Sequence, residues 1–384
     1  MPAFAEGLGN IIGPIVGFII GLIPLILIHE FGHLIVGKIV GVWAHEFGIG
    51  YPPRLVKLFR WHETDFTLNW IPFGGFVRFE GETTFAEDDE NAEGTKNAEE
   101  RTRRPEAESH SLYSKPPLQR ILVYLGGAAA NLIAGWMIAI LIFTTGIPSL
   151  QTRITDIAPN SPASSASLQP GDILIAVNGE PVENSFDLQS EIQRNLGQPT
   201  EITVRRDDEI VTVTLTPRQS PPEGQGAMGV LITDEQVTDT LRYYSLPQAV
   251  SYGSRYFVNL AATTVMLPVY IVRMGIPFEE ARPVGVVGIS QITEHSVSQS
   301  IEQSAPYPFL NILVILSISL GIFNLLPIPA LDGGRILFSL IEAIRGKALT
   351  PELEERIHLV ALLLMVVLFV FVTVLDIVMP VPLP

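Results

Sequence analysis

The stretch LILIHEFGHLIVGKIVG, residues 25–41, places His29, Glu30 and His33 together among Leu and Ile residues. Residues four apart lie on the same face of a helix, so the two imidazoles can reach one metal ion. In a helical HExxH motif the two histidines bind zinc and the glutamate acts as a general base. Bound zinc lowers the pKa of water towards about 7. The spacing therefore predicts a hydrolytic zinc site in which Glu30 accepts a proton from water.

The surroundings of this motif are those of a membrane span. No residue from Gly7 to Ile28 is ionisable, and a stretch of about 20 apolar residues is long enough to cross a bilayer. Ionisable side chains are costly at that depth and usually serve a function. We therefore interpret the two histidines and Glu30 as functional residues, not as hydrogen-bonded residues of a core.

Apolar blocks of spanning length occur four times in the chain. They lie at residues 11–40, 121–147, 309–331 and 357–380. A fifth apolar stretch, 247–275, is interrupted by polar residues and prolines, namely Arg255, Asn259, Pro268 and Arg273. We expect it to be an amphipathic helix at the membrane interface, with a fifth span as the alternative. The predicted fold is a polytopic α-helical membrane protein with about four transmembrane helices and an inserted α+β domain.

The third zinc ligand is expected to be Asp332. A catalytic zinc takes three protein ligands and keeps one position open, and the chain has no Cys. Asp332 stands in NLLPIPALDGGRI, at the end of a block that runs in the same direction as the first block. It therefore reaches the depth of His29 and His33. Asp376 belongs near the opposite membrane face, and His358 begins the fourth block with no partner nearby in sequence.

The helix is expected to break beside this aspartate. Pro327 and Pro329 precede it and Gly333 and Gly334 follow it. Non-helical backbone at membrane depth is tolerated only where it is buried in protein or lines a cavity. Such a break gives water and an unwound substrate strand a place to enter.

Composition and charge limit the possible partners. The 384-residue chain is 47% hydrophobic and has a formal net charge of −16. A phosphate backbone requires clustered Lys and Arg, so nucleic acid is not expected as a partner. Cations flank the loop between the first two blocks and fill the loop between the last two. The positive-inside rule then predicts both loops in the cytoplasm, with the zinc site towards that side and the inserted domain outside.

The chain divides into eight predicted segments. They are a first transmembrane helix with HExxH (1–42), a membrane-associated β-loop region (43–83), a disordered acidic cytoplasmic insert (84–112), a second transmembrane helix (113–148), an inserted folded domain (149–234), an amphipathic interface region (235–306), a third transmembrane helix with LDG (307–336), and a cytoplasmic loop with a fourth transmembrane helix (337–384). The insert is assigned as disordered because it cannot bury enough apolar surface to offset chain entropy.

The inserted domain has the alternation of a small α+β fold. Predicted strands at 153–157, 172–179, 201–206, 210–215 and 226–232 accompany a helix at 185–196. IAPNSPASSASLQPGDILIAVNGEPV, residues 157–182, resembles a PDZ domain of the circularly permuted bacterial kind. Such domains bind peptide ends as an added strand beside a helix. The resemblance implies a groove between the helix and the last strand, with Gly226 and Gly229 binding the peptide. The alternative is a folded spacer with an empty groove.

Several motifs together resemble those of the site-2 protease family of intramembrane zinc metalloproteases. HEFGH in the first span and NLLPIPALDGG in a later span carry the likeness. IPFGGFVRFEGE (71–82) looks like the family's Gly-Gly β-loop, YSKPPLQRILVYLGGAAAN (113–131) like its entry into span two, and PVGVVGISQ (283–291) like its stretch before span three. One departure is Ala128, where the family usually has Pro. With one PDZ-like domain, the chain is similar to the bacterial branch that cleaves membrane-anchored regulators such as anti-sigma factors.

This resemblance implies roles for further residues. The three ligands would bind one catalytic Zn²⁺ and Glu30 would be the base. Asn131 and Asn324 match positions near the active site, where they would hold the substrate backbone or polarise its carbonyl. Gly74 and Gly75 would position the substrate as an added strand. The implied partners are single-span membrane proteins, peptide ends and the lipid bilayer, in the inner membrane of a bacterium.

Two other functions compete with proteolysis. A non-catalytic membrane adaptor would use the PDZ-like groove alone, and it would leave HExxH and Asp332 unexplained. A metal transporter would use the same ligands as a transit site. Transport favours further polar residues along a path and an internal repeat of spans, and the sequence has neither.

Overall fold

The computed structural model describes residues 2–81, 109–182, 184–222, 224–274, 282–347 and 350–380. The chain forms two compact units. The helical unit comprises Met1–Thr145 and Ser245–Pro384, and the middle unit comprises Gly146–Tyr244. All but the last four residues of the insert predicted at 84–112 lie outside the described residues, so its disorder stays a prediction.

The order of elements alternates between the two units. The helices are α1 (Pro2–Val40), α2 (Pro117–Thr145), α3 (Pro162–Ser165), α4 (Ser185–Arg194), α5 (Leu246–Met274), α6 (Val286–Glu302), α7 (Tyr307–Asn324), α8 (Asp332–Arg345) and α9 (Pro351–Val378). The strands are β1 (Ala44–Trp61), β2 (Thr64–Phe79), β3 (Ile147–Ile157), β4 (Ile173–Val177), β5 (Glu180–Pro181), β6 (Thr200–Arg206), β7 (Glu209–Leu215) and β8 (Val230–Arg242). Helices α3 and α4 and strands β3 to β8 belong to the middle unit.

Among the described residues, five helices are long and apolar enough to cross a membrane, namely α1, α2, α5, α7 and α9. This agrees with the predicted polytopic membrane protein that carries a sheet-containing region in its middle. Four of the five correspond to the four apolar blocks of the sequence. The fifth, α5, covers the stretch for which we expected an interfacial helix or a fifth span. The exact number of spans stays a prediction.

Small residues let α1, α2 and α7 pack at short range. A Cβ added at Gly126 of α2 would lie 2.7 Å from the Gly32 carbonyl oxygen of α1, a distance that real Cβ atoms do not reach. Helix α2 also contacts α7, where the Ser317 hydroxyl donates to the Asn131 carbonyl oxygen at 2.7 Å. Small residues at membrane helix interfaces allow such close approach of backbones. Contacts with α2 therefore position both α1 and α7.

Strands β1 and β2 form one bent antiparallel sheet beside α1. Residues 44–49 pair with 75–79 on one side, and 46–49 pair with 65–68 on the other. The sequence predicts short strands here, and the structure has two long ones instead, because repeated register shifts let each strand bend. Phe47 belongs to a buried apolar cluster that includes Leu34 of α1. This cluster fixes the sheet against the helix that carries HEFGH.

Helix α7 stops before the predicted end of its apolar block. It ends at Asn324, and α8 begins at Asp332 after a compact turn. A Cβ added at Gly333 would lie 2.5 Å from the Leu325 carbonyl carbon, so the first turn of α8 packs directly on that backbone. The predicted helix break is therefore present, and Asp332 is the first residue of the new helix.

The last helix is held by a buried ion pair. An Arg282 Nη1 donates to Asp376 Oδ1 at 3.1 Å, and the two side chains are 5% and 0% exposed. The Gly288 amide of α6 donates to the second carboxylate oxygen at 2.8 Å. Asp376, which the sequence assigned away from the zinc site, thus joins α9 to the start of α6.

The middle unit is a sheet with two helices. The strand order is β7-β6-β4-β3-β8, with β5 paired to β4, and all pairs are antiparallel. Its core contains Ile154, Leu174, Ile192 and Ile202. The predicted last strand begins later than expected, because residues 226–229 form a turn closed by Gly229 N–H donating to the Gly226 carbonyl at 3.0 Å. The PDZ resemblance stays a prediction.

We predict that Asp376→Leu lowers the free energy of unfolding by about 3–5 kcal/mol, because it leaves the Arg282 charge buried without its partner. The measurement is denaturation of the purified protein in detergent. The double variant Arg282→Met/Asp376→Leu should recover much of the loss, although the Gly288 amide stays unpaired. A single variant as stable as the wild type would contradict this account of α9.

Candidate active site

Three potential metal ligands converge in the helical unit. His29 Nε2 lies 3.0 Å from Asp332 Oδ2, His33 Nε2 lies 3.1 Å from the same oxygen, and the two Nε2 atoms are 3.1 Å apart. In the described part of the chain these three residues are the one group of His, Cys, Asp or Glu that could hold a metal ion. Residues 303 positions apart meet here, as the sequence predicts.

The spacing of the three atoms fits zinc. With Zn–N and Zn–O distances of about 2.0–2.1 Å, the edges of a tetrahedral site are about 3.3 Å long. The observed edges of 3.0–3.1 Å lie close to that value. A point above the plane of the three atoms can therefore be at bonding distance from all of them, and the fourth direction faces away from the ligands.

The hydrogen-bond pattern around His33 also suits a bound cation. His33 Nδ1 lies 2.8 Å from the Val123 carbonyl oxygen, which can only accept, so Nδ1 carries a proton. In the neutral ring Nε2 then presents a lone pair, and it points at a carboxylate oxygen of Asp332. Two acceptors at this distance repel unless a proton on Nε2 or a metal ion lies between them. A metal ion satisfies both, and a hydrogen bond to the other ring nitrogen is the usual support of a metal-binding histidine.

One face of α2 supports both histidines. Val123, Gly127 and Asn131 follow one another at intervals of four residues, so they share a helix face. Val123 meets His33, and Asn131 Nδ2 lies 3.4 Å from His29 Nδ1. Gly127 stands between them: a Cβ added there would lie 2.7 Å from His29 Nε2 and would also contact His33 Nε2. Only a glycine leaves room for the two rings.

The ligands open into a cavity of about 500 Å³ that Glu30 also lines. Further lining residues come from the sheet, α2, α7 and α8, among them Tyr51, Arg78, Asn324 and Arg335. The size lies within the range of about 300–1,000 Å³ that is typical of ligand sites. Glu30 packs beside the sheet, since a Cβ added at Gly75 would lie 3.4 Å from Glu30 Cγ. A water molecule in this cavity can therefore meet both the ligands and the carboxylate.

The residues predicted from sequence fall into three groups. His29, Glu30, His33, Asp332, Asn131, Asn324 and Gly75 all line this cavity. Gly74 adjoins Gly75 with φ +93°, and a Cβ there would press on Tyr51 at 2.8 Å. Gly226 and Gly229 belong to the middle unit, where they form the turn before β8.

Sequence reasoning missed Gly127 and the Val123 carbonyl group. Their roles come from the close crossing of α1 and α2, and a backbone carbonyl leaves no mark in residue type. The four-residue spacing of Val123, Gly127 and Asn131 was the available signal. Its meaning depends on which turn of α2 faces His29 and His33.

Comparison with known proteins gives the family. The sequence profile of Peptidase family M50 matches residues 17–368. The chain belongs to Peptidase family M50. A relative from Clostridium perfringens (strain 13 / Type A) is 30% identical over 358 residues, which cover 93% of this chain and 96% of that protein. The zinc metalloprotease RasP of Shouchella clausii is 28% identical over 416 residues, with 92% and 96% covered. The regulator of sigma-W protease RasP of Bacillus subtilis (strain 168) is 27% identical over 431 residues, with 95% and 98% covered.

Membership of this family confirms three predictions made from the sequence. They are the resemblance to site-2 proteases, the metalloprotease activity and the zinc cofactor. The adaptor and transporter alternatives are therefore dropped. The residues that bind zinc and carry out catalysis remain predictions at this point, and the geometry above is the argument for them.

We predict that Gly127→Ala lowers zinc affinity about tenfold or more, because the new methyl group displaces both imidazole rings. Losing the supporting contact of one ligand already lowers metal affinity by about tenfold or more, and here both rings move. The measurement is zinc binding in competition with a chromophoric chelator. Ala129→Val is the matched control, since Ala129 lies on an exposed face of the same helix. Wild-type affinity in Gly127→Ala would show that the rings do not sit against this turn of α2.

Proposed function

We propose that this zinc metalloprotease hydrolyses peptide bonds within the transmembrane segments of membrane-anchored regulatory proteins, such as anti-sigma factors. His29, His33 and Asp332 hold the zinc ion, and Glu30 is the general base. The observation that carries the proposal is the meeting of these three ligands and Glu30 at one cavity, between helices that are apolar enough to span a membrane. The name of the Bacillus subtilis relative, a regulator of sigma-W protease, supports a regulatory substrate.

The protein side chains divide the chemistry among them. Zinc, when bound, supplies Lewis acidity that lowers the pKa of water and polarises a carbonyl group. Glu30 accepts a proton from the attacking water and returns it to the leaving amine. Its carboxylate is held beside Gly75, where a larger side chain would reduce the space around it. Asn324 donates its amide to the Leu320 carbonyl at 3.0 Å, and its position on the cavity wall suits contact with the substrate backbone.

The substrate is expected to bind as an extended strand. A transmembrane helix hides its carbonyl groups in its own hydrogen bonds, so it must unwind before cleavage. Residues 75–79 line the cavity and pair with 44–49 on one side. In the described residues no strand pairs with their other edge. An unpaired edge is a template for an added strand, and Gly74 and Gly75 leave space for the substrate backbone there.

The middle unit is proposed to be a PDZ-like domain that receives peptide ends. Among the described residues of that unit, β8 is an edge strand that pairs with β3 only, and α4 packs against it. This arrangement suits strand addition beside a helix. Ser185, at the start of α4, donates from both its amide and its hydroxyl to Asp234 of β8. These bonds hold the helix at a fixed distance from the strand.

The proposed location is the inner membrane of a bacterium. The distribution of Lys and Arg predicts that the zinc site lies towards the cytoplasm and the middle unit outside. Substrates shortened outside by another protease would then meet the PDZ-like domain first. The domain would act as a size filter or as a dock for the new peptide end.

We predict that Glu30→Gln lowers the rate of cleavage of a tagged single-span substrate by about 10²–10⁴-fold or more. The amount of bound zinc should stay at the wild-type level. The glutamine keeps the shape but cannot accept a proton. Cleavage and zinc content are measured in the same detergent-solubilised samples. Glu302→Gln, at an exposed position at the end of α6, is the control and should cleave normally. Retained turnover in Glu30→Gln would remove Glu30 from the role of base.

A second prediction concerns the turn before β8. A Cβ added at Gly226 would meet no described residue within 4 Å, so Gly226→Glu should fold normally. Its carboxylate should repel a peptide end with a free carboxylate and weaken peptide binding at least about tenfold, like other like-charge contacts at interfaces. Binding of fluorescent peptides to the full chain is the measurement, with Gly226→Ser as the matched control. Equal peptide binding by Gly226→Glu and Gly226→Ser would argue that the middle unit is a folded spacer with an empty groove.

A further inference from the structure

Asn131 is the one fully buried amide side chain beside the proposed zinc ligands in the described part of the chain. It is 0% exposed. Its Oδ1 atom is buried without a hydrogen-bond partner. Its Nδ2 atom lies 3.4 Å from His29 Nδ1. A buried polar atom without a partner destabilises the folded state, so the orientation of this amide needs an explanation.

The tautomer of His29 supplies it. With Nε2 directed at Asp332 and the metal position, the neutral ring carries its proton on Nδ1. An amide N–H₂ group facing that proton places two donors against each other. The two ends of an amide are almost indistinguishable in shape, and their assignment follows from the hydrogen-bond network. Rotation by 180° puts Oδ1 at His29, where it accepts from Nδ1–H. After the rotation the amide nitrogen is left without a partner in place of Oδ1, and Asn131 gains one hydrogen bond to His29.

We propose that Asn131 is a positioning residue for His29 and acts on the zinc site rather than on the substrate. The carbonyl group of Val123 positions His33 in the same way, by accepting a hydrogen bond from its ring. One face of α2 therefore supports both rings. Asn131 itself is anchored, because its backbone carbonyl accepts from the Ser317 hydroxyl of α7 at 2.7 Å. The inference rests on the proposed zinc site. It differs from the role implied by the family resemblance, in which Asn131 contacts the substrate backbone.

The two roles make opposite demands on the side chain. A positioning residue must accept a hydrogen bond from His29, and a carboxylate does so at least as well as an amide. A substrate-binding amide that polarises a carbonyl must donate, and a carboxylate cannot. Asn131→Asp therefore separates the two roles, and Asn131→Leu removes both functions at similar volume.

The experiment measures the zinc dissociation constant of the full chain in detergent by chelator competition. Asn131→Leu should bind zinc about 10–100-fold more weakly, the usual loss when a ligand's supporting partner is removed. Asn131→Asp should bind at least as tightly as the wild type. Asn324→Leu, the matched cavity asparagine on α7, should keep wild-type zinc affinity. Melting of the zinc-free forms shows whether each variant folds, and Asn131→Ala replaces the Leu variant if that one does not.

The possible outcomes separate a failure of the inference about Asn131 from a failure of the proposed zinc site. A wild-type protein that binds no zinc would overturn the zinc site and this inference with it. A wild type that binds zinc, with equal affinity in Asn131→Leu or Asn131→Ala, would overturn the role of Asn131 alone. An equal loss in the Asp and Leu variants would also overturn it, because the acceptor then does not matter.

Discussion

Two imidazole nitrogens and a carboxylate oxygen lie within 3.0–3.1 Å of one another between helices that are apolar enough to span a membrane. Ionisable side chains are costly at membrane depth, and much of the helical unit serves to hold this group in place. HEFGH places two of the proposed ligands on one helix face. The third arrives on α8, a separate helix that begins at Asp332 itself. The remaining contacts determine how close α1 and α8 come to each other.

Helix α2 is the element on which this arrangement depends. It contributes no ligand, yet it crosses α1 at Gly32 and Gly126, leaves room for the rings at Gly127, and binds α7 through Ser317. The β1–β2 sheet approaches from the other side of α1 and brings residues 75–79 to the cavity that Glu30 lines. The proposed zinc ligands, the proposed base Glu30 and the strand edge thus meet because α2 and the sheet both pack against α1.

The sequence was informative wherever residue type and spacing state the chemistry. HExxH on a helix, a single suitable aspartate in a later span, and a Pro–Gly break beside it predicted which residues lie together at the candidate site. The order of strands and helix in the middle unit also followed from alternation and turn residues. Each of these signals is local, or needs only a match in membrane depth between two spans.

The features that could not be predicted from the sequence depend on distances between elements. The role of Gly127 follows from the separation of α1 and α2, and the buried pair of Arg282 and Asp376 follows from the packing of α9 on α6. The length of β1 and β2 depends on register shifts that no residue pattern announces. Asn131 was assigned from resemblance to contact the substrate, whereas its side-chain amide lies 3.4 Å from His29 Nδ1.

X-ray absorption at the zinc edge of the purified wild-type protein tests the central claim most directly, because it observes the ligands themselves. The account predicts a first shell of about four nitrogen and oxygen atoms at about 2.0–2.1 Å, with the outer-shell pattern of two imidazoles. A shell of oxygen atoms without imidazole scattering, or a protein that retains no zinc, would contradict it.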